Sequence, residues 1–155
     1  MALEIVLHLT RSGVWSVGCG TGGVGLPLPR NVRAATGPAF VAARDAVGRA
    51  KRKSTRFALG APPGSDTDAA DAEALIDLLL VLRSRRSEEG WELADLLHEG
   101  LTQAAAAERL GITPQAVSKR ARAAELRAEQ AAIAPLIRMM ESLDRLGGRE
   151  EEGTP

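Results

Sequence analysis

The chain has 155 residues, 45% of them hydrophobic, so it can form one domain or two small ones around a modest core. Two Trp, two Phe and no Tyr exclude a sheet that stacks many bases on aromatic rings. The one cysteine, Cys19, excludes an internal disulfide, and His8 and His98 cannot assemble a zinc site at a recognisable spacing. We therefore expect neither a bound metal nor a cofactor.

The formal net charge is zero, but the charges are arranged in blocks. Residues 1–60 contain nine Lys and Arg against two acids, whereas residues 61–99 contain ten acids against three Arg. Residues 100–127 are again basic, with five Lys and Arg against two acids. A basic block can attract a polyanion even in a neutral chain. The alternative is that basic and acidic faces neutralise each other within the fold.

The apolar runs are too short to cross a membrane. The longest, at residues 78–82, is far below the roughly 20 residues that a bilayer requires, and residues 1–10 lack the basic start of a signal peptide. Together with the single cysteine, these features predict a cytoplasmic protein.

The first 60 residues favour strands and one helix. Residues 3–9, 14–17 and 23–28 are short β-favouring stretches near glycines, which predicts two or three strands joined by tight turns. Apolar residues recur at intervals of three and four between residues 31 and 53, which predicts a helix with Pro38 in its first turn. One more strand is predicted at residues 55–59. The fold class that follows is α+β, with a small β-rich N-terminal domain over residues 1–60.

The glycines at residues 18–23 match the pattern G-x-G-x-x-G of dinucleotide-binding loops. Such a site needs the third glycine to begin a helix, but a proline-rich stretch follows it here. We therefore interpret this glycine cluster as a tight hairpin.

A linker is predicted at residues 61–70, because Pro62, Pro63, Gly64 and Ser65 have linker composition. It is expected to precede a helical domain over residues 71–147 and a disordered acidic tail over residues 148–155.

The helical domain is predicted to begin with two helices. The first covers residues 71–85 and is expected to direct four residues inward: Leu75, Ile76, Leu79 and Leu82. Ser87 is expected to cap the second, with Glu88 and Glu89 in its favourable first turn and Gly100 at its end.

Residues 102–124 carry the most informative pattern, that of two short helices joined by a tight turn. Thr102 is placed to cap a helix over residues 103–110, which Gly111 ends in a left-handed conformation. Thr113 and Pro114 then begin a second helix as its cap and first residue. This is the geometry of a helix-turn-helix. Small and apolar side chains are spaced to close the elbow: Ala106, Ala107, Leu110, Ile112, Val117, Ala121 and Ala124.

The side chains opposite Val117 on the second helix are polar and include no acid. They are Gln115, Ser118, Lys119 and Arg122. In a major groove, Gln can pair with adenine, and Lys and Arg with guanine. The residues at the two helix starts, Thr102, Gln103 and Thr113, can hold phosphates. Further basic residues are expected to contact phosphates or acids of the chain itself: Arg109, Arg120 and Arg127. The alternative is an ordinary αα-hairpin with a solvated polar face.

Residues 100–120 resemble the helix-turn-helix of sigma-factor region 4 and of LuxR-type and MarR-annotated regulators. In such domains the second helix reads the major groove, so the resemblance implies the same for residues 114–124. The chain departs from these families at Ala121, where they more often carry a larger aliphatic residue.

A second, weaker resemblance covers most of residues 1–130. Gly37, Pro38, Ala39 and Phe40, followed by Ala43, Arg44, Ala46, Ala50 and Lys51, look like the helix motif of the SatD-like bacterial proteins, and residues 17–20 fit the preceding strand end. Members of that group usually have an additional N-terminal stretch with an acidic strand region. The resemblance implies that residues 1–60 form a shortened α+β domain, a relic of a cyclase-like sheet.

The acids and nucleophiles do not form a catalytic set. Cyclase-type catalysis needs paired carboxylates for metal ions, and residues 1–60 contain only Glu4 and Asp45. Cys19 has no histidine near it in sequence to activate it. We expect no enzymatic activity.

A final helix is predicted beyond residue 124, because apolar residues recur there at intervals of three, four and seven. Its apolar stripe is Leu126, Ile133, Leu136, Ile137, Met140, Leu143 and Leu146. Pro135 is expected to kink this helix or to mark a restart. The stripe packs either on the rest of the chain or on a second copy. We expect a homodimer through residues 126–146, because a two-fold symmetric DNA site has two half-sites and each is contacted by the recognition helix of one protomer.

These observations predict a DNA-binding transcriptional regulator that inserts residues 114–124 into the major groove of double-stranded DNA. The alternative is a protein-interaction or scaffold module that keeps the helix-turn-helix shape without binding DNA. A third option is a ligand-responsive regulator that uses the glycine-rich β region as a sensor.

Overall fold

The structure is a computed structural model that describes residues 2–61, 64 and 66–149. Within those ranges it is mostly helical and contains one two-stranded sheet. In chain order the elements are α1 (Ala2–Thr10), β1 (Val17–Gly20), α2 (Pro38–Ala50), β2 (Phe57–Gly60), α3 (Asp66–Ser84), α4 (Glu88–His98), α5 (Gln103–Leu110), α6 (Pro114–Ala123) and α7 (Leu126–Arg149). A short 3₁₀ helix, Val32–Ala34, precedes α2.

Contacts divide the chain into two compact units. Unit 1 contains residues 1–80 and 134–155, and unit 2 contains residues 81–133. The division falls inside α3 and not at residues 61–70, where we expected a linker; α3 already begins at Asp66. Residues 62, 63 and 65 of that stretch lie outside the described ranges, as do residues 150–155 of the predicted tail.

Unit 1 is built on a strand–helix–strand motif. The strands β1 and β2 are parallel, with Val17 opposite Phe57 and Gly20 opposite Gly60, and α2 connects them. The prediction of a hairpin at residues 18–23 is therefore wrong. The glycines serve packing instead, since a Cβ on Gly18 or Gly20 would strike the backbone of α2.

Two predicted strands in unit 1 are also wrong. Residues 3–9 form the helix α1, because burial of Leu3, Val6 and Leu7 follows the helical spacing of three and four. Residues 23–28 form no strand; two of their apolar side chains, Leu26 and Leu28, are exposed. The N-terminal region is consequently not β-rich, although helices with one small sheet are compatible with an α+β fold.

The remaining predictions for unit 1 agree with the structure in part. The strand predicted at residues 14–17 is displaced, because β1 covers Val17–Gly20 and the side chains of Val14 and Trp15 are exposed. Gly37 and Pro38 begin α2 as its cap and first residue, and β2 lies within one or two residues of the predicted strand. Of the four residues expected to face inward from α3, Ile76 and Leu79 are buried, Leu82 is half-buried and Leu75 is exposed.

The helix α7 continues through Pro135 up to Arg149. Three residues of its apolar stripe, Leu136, Met140 and Leu143, are buried within the single chain, and Leu146 is 41% exposed. Burial of these three favours the alternative in which the stripe packs on its own chain. Dimerisation through residues 126–146 stays a prediction.

The described residues contain neither a membrane-spanning helix nor a cluster of metal-binding side chains. No helix among residues 2–61 and 66–149 is long and apolar enough to cross a membrane. In the same ranges, no three His, Cys, Asp or Glu side chains are grouped so that they could hold a metal ion.

Candidate nucleic-acid interface

The three helices of unit 2 begin at side-chain caps that the sequence predicts. The hydroxyl of Ser87 accepts a hydrogen bond from the backbone N–H of Gly90, and Glu88 and Glu89 follow in the first turn of α4. Thr102 caps α5 and Thr113 caps α6 in the same way, each at 3.2 Å from the N–H three residues later. Both helix starts of the helix-turn-helix are thus fixed by local hydrogen bonds.

The turn between α5 and α6 depends on Gly111. This residue ends α5 in the left-handed conformation, with φ 63° and ψ 31°, and a Cβ there would meet nothing within 4 Å. The requirement at Gly111 is therefore conformational and not steric. Thr113 and Pro114 then begin α6 two residues later.

A small apolar core holds α6 against α4 and α5. Leu93, Ala106, Ala107 and Val117 are almost fully buried, and further apolar side chains pack around them: Leu96, Leu97, Leu110, Ile112, Ala121 and Leu126. Alanines at the contact between α5 and α6 allow the two helices to approach closely. The predicted elbow residues are confirmed, including the burial of Ala124.

The predicted reading face of α6 is exposed to solvent. Gln115, Ser118, Lys119 and Arg122 are all exposed, whereas Val117 on the opposite side is fully buried. The helix contains no acidic residue between Pro114 and Ala123. The acidic residues of α4 therefore do not cover this face.

Hydrogen bonds order one part of this face and leave another part available. The hydroxyl of Ser118 donates to Oε1 of Gln103 at 3.4 Å and so links α6 to the first residue of α5. Nε of Arg122 donates to the backbone oxygen of Ser118, also at 3.4 Å. Within the described part of the chain, the head groups of Gln115 and Lys119 have no hydrogen bond or ion pair.

The three additional basic residues of unit 2 differ in their surroundings. Arg120 donates to the carboxylate of Glu92 at 3.1 Å and to the backbone oxygen of Glu89 at 3.5 Å. The Arg120 guanidinium also contributes to a lowered pKa of Glu89, although the hydrogen bond from Ser87 contributes most. Arg109 and Arg127 are exposed and form no ion pair among the described residues. Arg120 therefore takes the structural role, and Arg109 and Arg127 remain available to phosphates.

A buried charged cluster at the end of α6 was not predicted from the sequence. Glu129 forms ion pairs with Arg83 and Arg86, and the side chain of Arg86 is only 1% exposed. Nε of Arg86 also donates to the backbone oxygen of Ala124, the residue that ends α6, at 3.1 Å. Both guanidinium groups lie over the ring of Trp91, at 4.7 Å and 4.4 Å from its centroid.

This cluster fixes the C-terminal end of α6, because Arg86 satisfies a carbonyl group that the helix itself leaves unpaired. The two residues of each ion pair in this cluster are separated by more than 40 positions in the chain. No local sequence pattern predicts this contact; the one available signal is the group of three arginines, Arg83, Arg85 and Arg86, just before Ser87.

Unit 1 contains a second polar network, at the outer edge of β2. Glu73 accepts a hydrogen bond from the backbone N–H of Leu59 at 2.7 Å, and Arg49 donates to the backbone oxygen of the same residue at 2.6 Å. Glu73 also forms ion pairs with Arg49 and Lys53, and Lys53 bonds to Asp77 as well.

The network shifts the titration of its charged groups. Burial would raise the pKa of Glu73, but hydrogen bonds from Lys53, from Leu59 and from Arg49 hold that pKa below its usual value. The pKa of Lys53 is raised, since its hydrogen bonds to Asp77 and Glu73 outweigh the effect of burial. Elsewhere in the unit, burial raises the pKa of the Cys19 thiol, which keeps it protonated.

Beside this network lies an open cavity of about 460 Å³. Its walls are mainly alanines of α2 and α3, with Asp45, Arg49, Glu73 and Asp77 as the charged groups. Three of these four already bond within the protein, and Asp45 is exposed. The cavity thus offers little that would orient a ligand.

Comparisons with family models, with curated proteins and with solved structures found no match to this chain. The resemblances to helix-turn-helix families and to SatD-like proteins therefore stay predictions.

Proposed function

We propose that this protein binds double-stranded DNA through α6 and regulates transcription. The observation that carries the proposal is the exposed, acid-free face of Gln115, Ser118, Lys119 and Arg122 on the second helix of a helix-turn-helix. An α-helix with such a face fits the width of the major groove.

The side chains of α6 divide into two roles. Gln115 and Lys119 have uncommitted head groups and are suited to base edges, Gln to adenine and Lys to guanine. The Ser118 hydroxyl bonds to Gln103, and Arg122 donates to the backbone oxygen of Ser118, which restrains the Arg122 side chain for contact with guanine or with a phosphate. Preorganisation of this kind lowers the entropy cost of binding.

The two helix starts supply the contacts that set the register on the duplex. The hydroxyls of Thr102 and Thr113 accept bonds from backbone N–H groups and can still donate their protons to phosphates. The unpaired N–H groups of Gln103 and Ala104 at the start of α5, and of Gln115 at the start of α6, add to the attraction of phosphate oxygens, whereas Pro114 has no N–H to donate. A regulatory role follows by analogy with other proteins that bind DNA through this motif without cutting or copying it.

The test is binding of the full chain to labelled duplex DNA, measured by fluorescence anisotropy with a random pool and with duplexes selected from it. The double variant Lys119→Ala/Arg122→Ala should weaken binding about thirtyfold or more, because each base or phosphate contact contributes roughly 1–3 kcal/mol. Gln115→Ala should change the preferred sequence more than the affinity for the random pool.

The matched control is Arg138→Ala/Arg145→Ala, which removes two exposed positive charges from α7 and leaves unit 2 unaltered. Circular dichroism should show unchanged helix content in both double variants. If the wild-type chain binds no duplex at low salt, the scaffold alternative is the better one. If the control loses as much affinity as the α6 variant, binding depends on net charge and not on this face.

A further inference from the structure

The exposed surface of α2 carries cations that the fold does not use. Of the nine Lys and Arg in residues 1–60, Arg49 and Lys53 pair with acids of α3, and Arg56 bonds to Ser16. Five others are exposed and have no ion pair among the described residues: Arg30, Arg33, Arg44, Lys51 and Arg52. Neutralisation within the fold therefore accounts for only part of the basic block.

Three of these five cations share one side of α2 and of the turn that follows it. Arg44, Lys51 and Arg52 are separated by seven and eight positions, which places them on one helical face. The opposite face carries Ala46 and Ala50, which are fully buried near the sheet. We call the exposed face, formed by Arg44, Gly48, Lys51 and Arg52, the α2 basic surface.

Gly48 is the second unusual feature of this surface. It lies in the body of α2, where glycine is less favourable than alanine, and a Cβ at this position would meet nothing within 4 Å. Packing explains the glycines of β1 and β2 but not this one. The missing side chain leaves the helix backbone accessible between Arg44 and Arg52, which suits close approach by a ligand's own backbone.

One acidic residue, Asp45, lies at the border of this surface, seven positions from Arg52, and it lines the cavity together with Arg49. Its single negative charge is outnumbered by the three cations of the α2 basic surface. Lys51 and Arg52 also follow the C-terminal end of α2, where cations are favourable to the helix dipole. That structural role does not extend to Arg44, which lies in the middle of the helix.

We propose that the α2 basic surface contacts the phosphate backbone of duplex DNA without reading its sequence. The inference rests on the proposed DNA binding of α6 and adds a second contact in unit 1. Exposed guanidinium and ammonium groups around an accessible backbone match a regular array of phosphates. Each phosphate that is neutralised releases counterions and makes binding more dependent on salt.

The test is a salt titration of DNA binding by the full-length double variant Arg44→Ala/Arg52→Ala. We expect the slope of log K against log salt to become shallower by about 1.8, since each lost phosphate contact removes about 0.9. Affinity near physiological salt should fall roughly tenfold to fiftyfold, equally for selected and for random duplexes. The control Arg138→Ala/Arg145→Ala changes the net charge identically and should leave the slope unchanged.

Each result separates this inference from the proposed function. If the α6 variant loses binding while the α2 variant keeps its affinity and slope, the α2 basic surface has no such role and the α6 proposal stands. If the α2 variant loses binding and the α6 variant does not, the helix-turn-helix is not the DNA-binding element. Equal changes in the α2 variant and the α7 control would overturn the inference, because they would indicate a net-charge effect.

Discussion

The helix-turn-helix of unit 2 and the strand–helix–strand motif of unit 1 both depend on glycine, for opposite reasons. Gly111 is needed because its backbone adopts a left-handed conformation in open space. Gly20 is needed because α2 lies so close to β1 that a methyl group would strike the backbone of Ala39 and Ala43. The first requirement is local in the chain, whereas the second exists only after distant segments have packed.

This difference explains how well each motif can be predicted from the sequence. The caps Ser87, Thr102 and Thr113 and the turn glycine act within three or four residues, so their signals can be read directly. The predicted bounds of α5 and the buried face of the elbow are consequently confirmed, and α6 ends one residue before the predicted end. The exposure of the predicted reading face could be predicted too, since it follows from helical spacing relative to Val117.

The sheet could not be predicted in the same way, because its partners are 40 residues apart and a parallel pair leaves no turn signal between them. Without that information, the glycine-rich sequence at residues 18–23 has the composition of a hairpin turn. In α1 most residues are apolar, so the sequence fits the spacing of a strand as well as that of a helix. Only the structure shows that the buried residues, Leu3, Val6 and Leu7, follow helical spacing. The cluster of Arg86 and Glu129 was missed for the same reason of distance.

The largest expected effect comes from adding one methyl group at a packing glycine. Gly20→Ala should lower the free energy of unfolding by roughly 3 kcal/mol, because two backbones must move apart. The measurement is urea unfolding followed by circular dichroism. Gly48→Ala is the matched control in the same unit and should raise stability by roughly 0.5–1 kcal/mol. Equal losses in both variants would contradict the close approach of α2 to β1.

A smaller effect is expected at the edge of β2, where Glu73 joins α3 to the sheet. Because the folded protein holds the pKa of Glu73 low, its contribution to stability is present above the unfolded pKa near 4.3 and is lost as pH falls through the folded value. Glu73→Gln should therefore cost about 2 kcal/mol at pH 7 and progressively less below about pH 4.

Urea unfolding at a series of pH values measures this difference. The exposed Glu141, on α7, gives the control Glu141→Gln, which should cost little at any of these pH values. If Glu73→Gln lowers the free energy of unfolding by the same amount down to pH 3, the contribution of Glu73 depends on the shape of its side chain and not on its charge.

The smallest effect is expected at the turn glycine of unit 2. Gly111→Ala should lower the free energy of unfolding by about 1 kcal/mol, because the left-handed conformation is unfavourable for a residue with a Cβ. Gly111→Asn should cost less, since asparagine tolerates this conformation and the space around it is open. If Gly111→Ala lowers the free energy of unfolding as much as Gly20→Ala does, then Gly111 is also required for close packing and not only for its backbone conformation.

The hydrogen bonds of Glu73 and Arg49 to Leu59 also affect whether the edge of β2 can recruit a strand from another molecule. An unpaired strand edge presents N–H and C=O groups that can recruit a strand from another molecule. At Leu59 both groups are already occupied by charged side chains, which are themselves ion-paired. An incoming strand that paired at Leu59 would have to displace a carboxylate and a guanidinium together, so growth of the small sheet is opposed at this position.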